Sequence, residues 1–479
     1  MIPTYIGIIV AFIGFWLLTR PAAYSLAFFA YCTIFAGSSA LDLFALGGAS
    51  VPPANFALLF LILRLWRQDF SRSEAFLRSI VAHRWFIVFC VYSAAMAFVL
   101  PTLFAGQVML VPMGAANMGA MLLRPTAQNI TTAVYMLGTA ATAVAATMMV
   151  LAANRTTKIM ASTFILITWI HIATGLLDLG LNAVHLGILI DIVRNGSYAQ
   201  LDQSFGDIHR IAGVTPEPSV YATFGGVCFV LMSEFWLRNI QPRRSGPAAI
   251  VMLIMLILTT SSTGYVYIAA YGACLWVRCV FIPGSMPPAK MLRFILIQIF
   301  GSAALISGIA LNPTLAKKFF GIIQSVTISK GASESGVQRM EWARQGFLAL
   351  KASHGLGVGV GSFRSSSIMT AILGSVGPIA LAVFIIYVMQ VWQPLRKSTF
   401  KPAGSEDLRF AGAAGWGALM TIVAESVVAP SPDPGIMFGL LAGLAIGLRI
   451  RDRSAAPAME TRQPMAVHGP PPFAHSSVD

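Results

Sequence analysis

The sequence predicts an all-α, polytopic membrane protein with about thirteen transmembrane helices, on three observations. Of the 479 residues, 57% are hydrophobic and 10% are charged, where a soluble domain carries about 25% charged residues. Mean hydropathy is +0.75. The apolar residues gather into runs long enough to approach a hydrocarbon core of roughly 30 Å, and the basic residues sort into alternate connections between those runs.

In chain order the runs lie at about 3–19, 22–46, 52–66, 85–104, 129–152, 159–179, 218–237, 246–260, 262–277, 293–311, 373–392, 410–428 and 434–449. The first lacks a charged leader and a small-residue cleavage site, so it reads as a retained span. With the N-terminus outside, 22 of the 32 basic residues fall on the inner side, as the positive-inside rule requires. Losing either run of the pair 246–260 and 262–277 would invert everything after it. The net charge of +14 is therefore a matter of orientation, and nucleic acid is excluded as a partner. Cys32, Cys90, Cys228, Cys274 and Cys279 all lie in or beside apolar runs, which argues against a disulfide framework and a zinc site. Residues 1–453 form the membrane domain, and the Pro-, Ala- and Ser-rich tail 454–479 reads as disordered.

Ten basic residues remain outside, in Arg124 and two long segments at about 180–217 and 312–372. The second carries Lys317, Lys318, Lys330, Arg339, Arg344, Lys351 and Arg364 against Glu334 and Glu341. An excess of cations on the outer face points to an anionic ligand. The first segment ends in Arg210 and Glu217-Pro-Ser-Val-Tyr-Ala222. Pro218 suits a first helical turn and places Glu217 at the surface. Arginine suits phosphate because its planar fork makes paired, charge-assisted hydrogen bonds. An interfacial arginine with an acidic neighbour is the plainer reading.

In Gln338-Arg-Met-Glu-Trp-Ala-Arg-Gln-Gly-Phe-Leu-Ala-Leu-Lys351, Met340, Ala343, Phe347 and Leu350 recur at helical spacing. Arg344 and Lys351 share another face, and Glu341 can pair with Arg344. The same pattern fits a helix lying on the bilayer. His354-Gly-Leu-Gly-Val-Gly-Val-Gly361 follows, with Ser362-Phe-Arg-Ser-Ser-Ser367 after it. Its glycines permit positive φ and close backbone approach, to a ligand or to a helix. Asp42, His171, Asp178 and Glu425 lie near outer ends of spans, lining a cavity or reaching the surface. Glu234 and Arg238, four apart, read as a surface pair. Thr259-Thr-Ser-Ser-Thr-Gly264 is a hydroxyl-rich break between two spans, able to meet a sugar or to satisfy a turn.

In succession, Arg210 with Gly213 and Glu217–Ala222, the Thr259–Gly264 break, and Arg339, Trp342 and His354–Gly361 before a late span resemble the O-antigen ligase and polymerase superfamily of bacterial envelope glycosyltransferases. The match covers about residues 200–390. The Glu-Pro-Ser variant and the Phe363-Arg-Ser-Ser-Ser367 ending are closer in character to exopolysaccharide polymerases. Ligases of the group carry a His-Asn pair after the glycine turn, where this chain reads Ser365-Ser-Ser-Ile-Met-Thr-Ala371. Many members also carry an arginine in the hydroxyl-rich break, where this chain has Ser262 and Thr263.

The resemblance implies a GT-C-like helical glycosyltransferase of the bacterial inner membrane, its active site facing the periplasm. It implies no metal and no cofactor. Donor and acceptor would be polyprenyl-diphosphate-linked oligosaccharides, joined into a polymer beside membrane lipids, a chain-length regulator and export proteins. Arg210, Arg339, Arg344 and Arg364 are then the candidates for the diphosphate. Glu217, and after it His354, are the candidate general bases. Lys351, Thr263 and Glu341 are candidate substrate contacts. The rival readings are an O-antigen ligase with lipid A core as acceptor, and a polysaccharide or lipid transporter. A transporter expects ionisable groups at mid-span depth, and few charges lie there.

Overall fold

The computed structural model describes residues 2–43, 49–67, 73–113, 119–153, 155–196, 204–205, 208–311 and 334–460. The expected positions Lys317, Lys318 and Lys330 lie outside the described residues, as does the tail beyond Glu460.

The described chain is a helical membrane protein. Among the described residues, seven helices are long and apolar enough to cross a bilayer: Arg84–Leu103, Ala127–Ala152, Thr156–Ala183, Pro218–Leu237, Ser262–Phe281, Ile368–Trp392 and Glu406–Val428. In chain order the helices are α1 (Tyr5–Leu17), α2 (Ala22–Cys32), α3 (Pro53–Arg67), α4 (Ser73–Ala82), α5 (Arg84–Leu103), α6 (Ala127–Ala152) and α7 (Thr156–Ala183). Then come α8 (Ile188–Asp191), α9 (Pro218–Leu237), α10 (Pro242–Leu258), α11 (Ser262–Phe281), α12 (Pro288–Leu311) and α13 (Glu334–Ala352). The last are α14 (Ile368–Trp392), α15 (Lys397–Phe400), α16 (Glu406–Val428) and α17 (Gly435–Glu460).

Each apolar run of the sequence thus contains a helix, but two boundaries differ from expectation. The run 22–46 is helical only to Cys32. Beyond it, Gly37 lies against the backbone of Thr215, and its amide donates to the Val214 carbonyl at 3.2 Å. The chain then pairs as a strand, Leu41–Leu43, between Ile2–Pro3 and Ala49–Val51. Tertiary docking has taken over residues whose apolarity alone would have continued the helix. At the other end α17 runs on to Glu460 rather than stopping at Arg453.

The core is built on α6, α9, α16 and α17. Gly439 and Gly443 bring α17 onto α6 so closely that a Cβ would meet the Thr139 and Ala143 carbonyl oxygens at 2.5 and 2.4 Å. Small residues at four-residue spacing are how membrane helices reach such contact. Helices α9 and α11 run parallel: Ala222 faces Gly264, Gly226 faces Tyr267, and Glu234 meets Tyr271 and Arg278. Their shared N-terminal end carries Glu217 and Thr263, and their shared C-terminal end carries a different set of charges.

Helix α13 is amphipathic in the opposite sense to the pattern read from its sequence. Met340 and Phe347 are exposed, while Gln345, Gly346 and Ala349 are buried. A Cβ on Gly346 would meet the Thr370 carbonyl oxygen at 2.2 Å. The small face allows close packing on α14, and the bulky face is left outward, as on a helix beside lipid.

Candidate anion-binding site

The site is built on the loop before α9. A buried ion pair fixes that loop. Arg194 donates to Asp178 at 2.6 Å and to the Gly213 carbonyl at 2.6 Å. The second Asp178 oxygen accepts the amides of Ala212 and Gly213 at 2.7 and 2.9 Å. Gly213 takes φ +55° in this turn, where an added Cβ would meet the Tyr221 ring at 3.0 Å. His171 stacks on Tyr221 at 3.9 Å, and the Tyr221 hydroxyl donates to the His171 carbonyl at 3.0 Å. Asp178 and His171 are therefore structural supports rather than cavity groups. Arg194 is the residue that the sequence undervalued. Its charge was visible in the sequence, but its buried pairing with a carboxylate sixteen positions away was not.

From this frame the chain passes from Arg210 through the turn at Gly213 to Glu217. Glu217 is the N-cap residue of α9, extended at φ −160° and ψ 160°, with Pro218 opening the helix. Its carboxylate accepts the Ser219 hydroxyl. The loop 362–367 approaches from the other side. The Arg364 amide donates to the Val111 carbonyl at 3.0 Å, and the Ser365 amide donates to the Pro430 carbonyl at 3.0 Å. The Arg364 guanidinium stacks on Trp342 at 4.4 Å, a favourable seat for a planar cation. Ser366 donates to the Arg339 carbonyl at 2.5 Å, tying the start of α13 to the same loop.

Arg210 and Arg364, from separate stretches of chain, both lie within electrostatic reach of Glu217 and of Arg339, and Tyr265 of α11 acts on Arg210. Burial pushes both the Arg210 and Arg364 guanidiniums below their ordinary value; Glu217 opposes the shift and Arg339 adds to it. Among the described residues the buried Nε atoms of Arg210 and Arg364 have no hydrogen-bond partner. Three cations face one carboxylate. Half-buried, mutually repelling donors of this kind favour an anion that pairs them. Thr263, buried at the start of α11, also keeps its hydroxyl unpartnered among the described residues, and the break at Thr259–Ser261 separates α10 from α11 as read from the sequence.

The glycine string has a structural task. Gly355, Gly357, Gly359 and Gly361 all have φ between 80° and 93°. The Val358 and Gly359 amides donate to the carbonyls of Gly374 and Ser375 at 2.9 and 2.8 Å. These carbonyls are accessible because α14 is broken at Gly377, whose φ is 81°, just before Pro378. The string is a strut between α5, α6 and α14 that delivers Arg364 to the cluster.

Other expected residues lie apart. Arg344 and Glu341 form an exposed pair at 3.6 Å. Lys351 is exposed in the last turn of α13. His354 is exposed at φ 53°, in the turn that ends the helix, with its amide bonded to the Lys351 carbonyl at 3.2 Å. Fifteen residues along the chain separate it from Arg339, roughly 20 Å at helical rise. No family model, curated protein or solved structure matches the chain.

Proposed function

We propose that the protein is a membrane glycosyltransferase that polymerises polyprenyl-diphosphate-linked oligosaccharide repeats, as its likeness to the exopolysaccharide polymerases suggests. The observation that carries the proposal is the convergence of Arg210, Arg339 and Arg364 around Glu217, with two buried Nε donors unpartnered among the described residues. The leaving group of such a donor is a lipid diphosphate, with a negative charge on each phosphate. Preorganised cations stabilise the charge that develops on it. Glu217 is the base: the acceptor hydroxyl attacks the anomeric carbon, Glu217 takes its proton, and the diphosphate leaves with the bonding pair. Thr263 and Tyr265 border the space for sugar hydroxyls. His354, Lys351, Glu341 and Arg344 have no part in this arrangement.

The same reading has thirteen crossings in a GT-C-like bundle, with the arginine cluster facing the periplasm of the bacterial inner membrane. Purified protein given only lipid-linked repeats should produce a ladder of polymer. Deletion of the gene should leave single lipid-linked repeats and abolish the high-molecular-weight product. Normal polymer with lipid A core left unmodified would instead assign the chain to the ligases.

A further inference from the structure

At the opposite end of the bundle a cavity of about 540 Å³ opens between α4, the start of α5, the end of α14 and α17. Arg78, Arg84, Arg449 and Arg453 line it, with Glu74 as its carboxylate. Glu74 is already engaged by Arg78, at 2.6 Å. Arg449 is 4% exposed. Its Nη1 donates to the Val391 carbonyl at 2.5 Å, and its buried Nη2, unpartnered among the described residues, lies toward Gly415 of α16, where an added Cβ would meet it at 3.1 Å. Arg238, Arg396 and Arg453 each add repulsion to its charge. The side chain of Gln390 is held to the Ala82 carbonyl at 2.7 Å, leaving its Oε1 unpartnered, as is that of Gln393.

Four arginines around one carboxylate that Arg78 already holds leave the cavity short of negative charge, which an anion would supply. The walls specify the rest of the ligand. Leu77 and Val81 of α4 are 60% and 56% exposed along one side, and Ile446 and Ile450 line the cavity from α17. A free inorganic ion would leave this apolar rim uncovered. A molecule with a phosphate at one end and hydrocarbon at the other would cover both parts. The volume is in the range of small-ligand sites, and basic pockets between membrane helices suit phospholipid headgroups.

We infer that this cavity is a binding site for an anionic phospholipid. Its phosphodiester sits on Arg84 and Arg453, with the buried Arg449 charge behind them, its headgroup lies over Gln393, and the acyl chains lie along Leu77 and Val81. The site is distinct from the Glu217 end and does not depend on the glycosyltransferase reading.

The test is native mass spectrometry and thermal unfolding of the full chain, delipidated in neutral detergent, with phosphatidylglycerol, phosphatidylcholine or inorganic phosphate added. Phosphatidylglycerol should be retained and should raise the unfolding temperature, whereas phosphatidylcholine should do neither. Arg449→Met also removes the bond to Val391 and risks misfolding, so the rim double variant Arg84→Gln/Arg453→Gln carries the decision. Its retention of phosphatidylglycerol should fall at least about tenfold, with unfolding in phosphatidylcholine unchanged. Equal retention of the two lipids, an unaltered double variant, or the same stabilisation from inorganic phosphate at millimolar concentration would each overturn the inference.

Discussion

The two ends of α9 and α11 each gather arginines around a glutamate, and they resolve the charge in opposite ways. At the C-terminal end Glu234 is fully buried between Arg238 and Arg278. Arg238 spends all three nitrogens: Nε on Glu234 at 2.7 Å, and Nη1 and Nη2 on the carbonyls of Ser398 and Thr399 at 2.9 and 2.6 Å. Arg278 pairs with Glu234, donates to the Phe400 carbonyl at 3.0 Å and stacks on Trp416 at 4.9 Å. Tyr271 donates to Glu234 at 2.9 Å. At the N-terminal end the same residue types are half-buried, and Arg210 and Arg364 keep unpartnered Nε atoms among the described residues. A closed cluster locks α9, α11 and α15 together. An open one holds its donors for something else. The chemistry of the residues is the same, and the accounting of their hydrogen bonds separates the structural role from the binding role.

The largest effect should therefore come from the closed cluster. Glu234→Ala leaves Arg238 and Arg278 buried without their counter-charge, which costs about 3–5 kcal/mol for a pair broken on one side. The variant should lose most folded protein, read as the monodisperse peak after detergent extraction. If it extracts and unfolds like the wild type, the two ends do not differ in kind.

Arg210→Ala should do the reverse. Removing one of three clustered cations should leave the unfolding temperature unchanged or slightly higher, because the cluster is short of anions. Polymer formation from lipid-linked repeats should fall by about 10²–10³, the cost of one preorganised donor to developing charge. Loss of activity together with loss of folded protein would make Arg210 structural and remove the contrast between the ends.

Smaller but still clear is Gly357→Ala. Gly357 has φ 88°, and an added Cβ would meet the backbone carbon of Ser375 at 2.4 Å. A side chain forced into this conformation costs about 1–3 kcal/mol, and the strut that carries Arg364 must shift. Thermal unfolding should move down by that amount, and activity should fall further than stability alone accounts for. A variant that loses stability but keeps full activity would detach the glycine string from the open cluster.

The helices were legible because apolar runs and proline or hydroxyl breaks are local signals. Pro218 opens α9, and Thr259–Ser261 parts α10 from α11, where the sequence placed them. Long-range docking was illegible. Nothing near Cys32 announces that Gly37 will seat on the Thr215 backbone, and nothing in the α13 pattern shows that Gly346 will pack on Thr370 and turn Met340 outward. Glu234 read as a surface partner of Arg238, because its spacing on α9 was visible and Arg278, forty-four positions later, was not. Of the candidate anion ligands, Arg210, Arg339 and Arg364 come together. Charge and glycine spacing marked them as unusual, but only the fold could say which cations share a space.

Arg344 is where that limit bears most directly on function, and there the smallest effect is expected. The sequence gives Arg344 the same standing as Arg339, five residues before it on one helix. Five residues turn a helix by about 500°, so the two side chains point some 140° apart. Arg339 is tied to the 362–367 loop through Ser366, and Arg344 faces outward with 66% of its side chain exposed. Its pair with Glu341, three residues earlier, is of the exposed kind that contributes about 0–1 kcal/mol. Arg344→Ala should unfold within about 1 kcal/mol of the wild type and make polymer at a rate within about twofold, while Arg339→Ala should be impaired as Arg210→Ala is. If Arg344→Ala is the inactive one, the anion sits on the outer face of α13 and not among Arg210, Arg339 and Arg364. The comparison of the two α13 variants therefore locates the ligand independently of whether the chemistry is polymerisation or ligation.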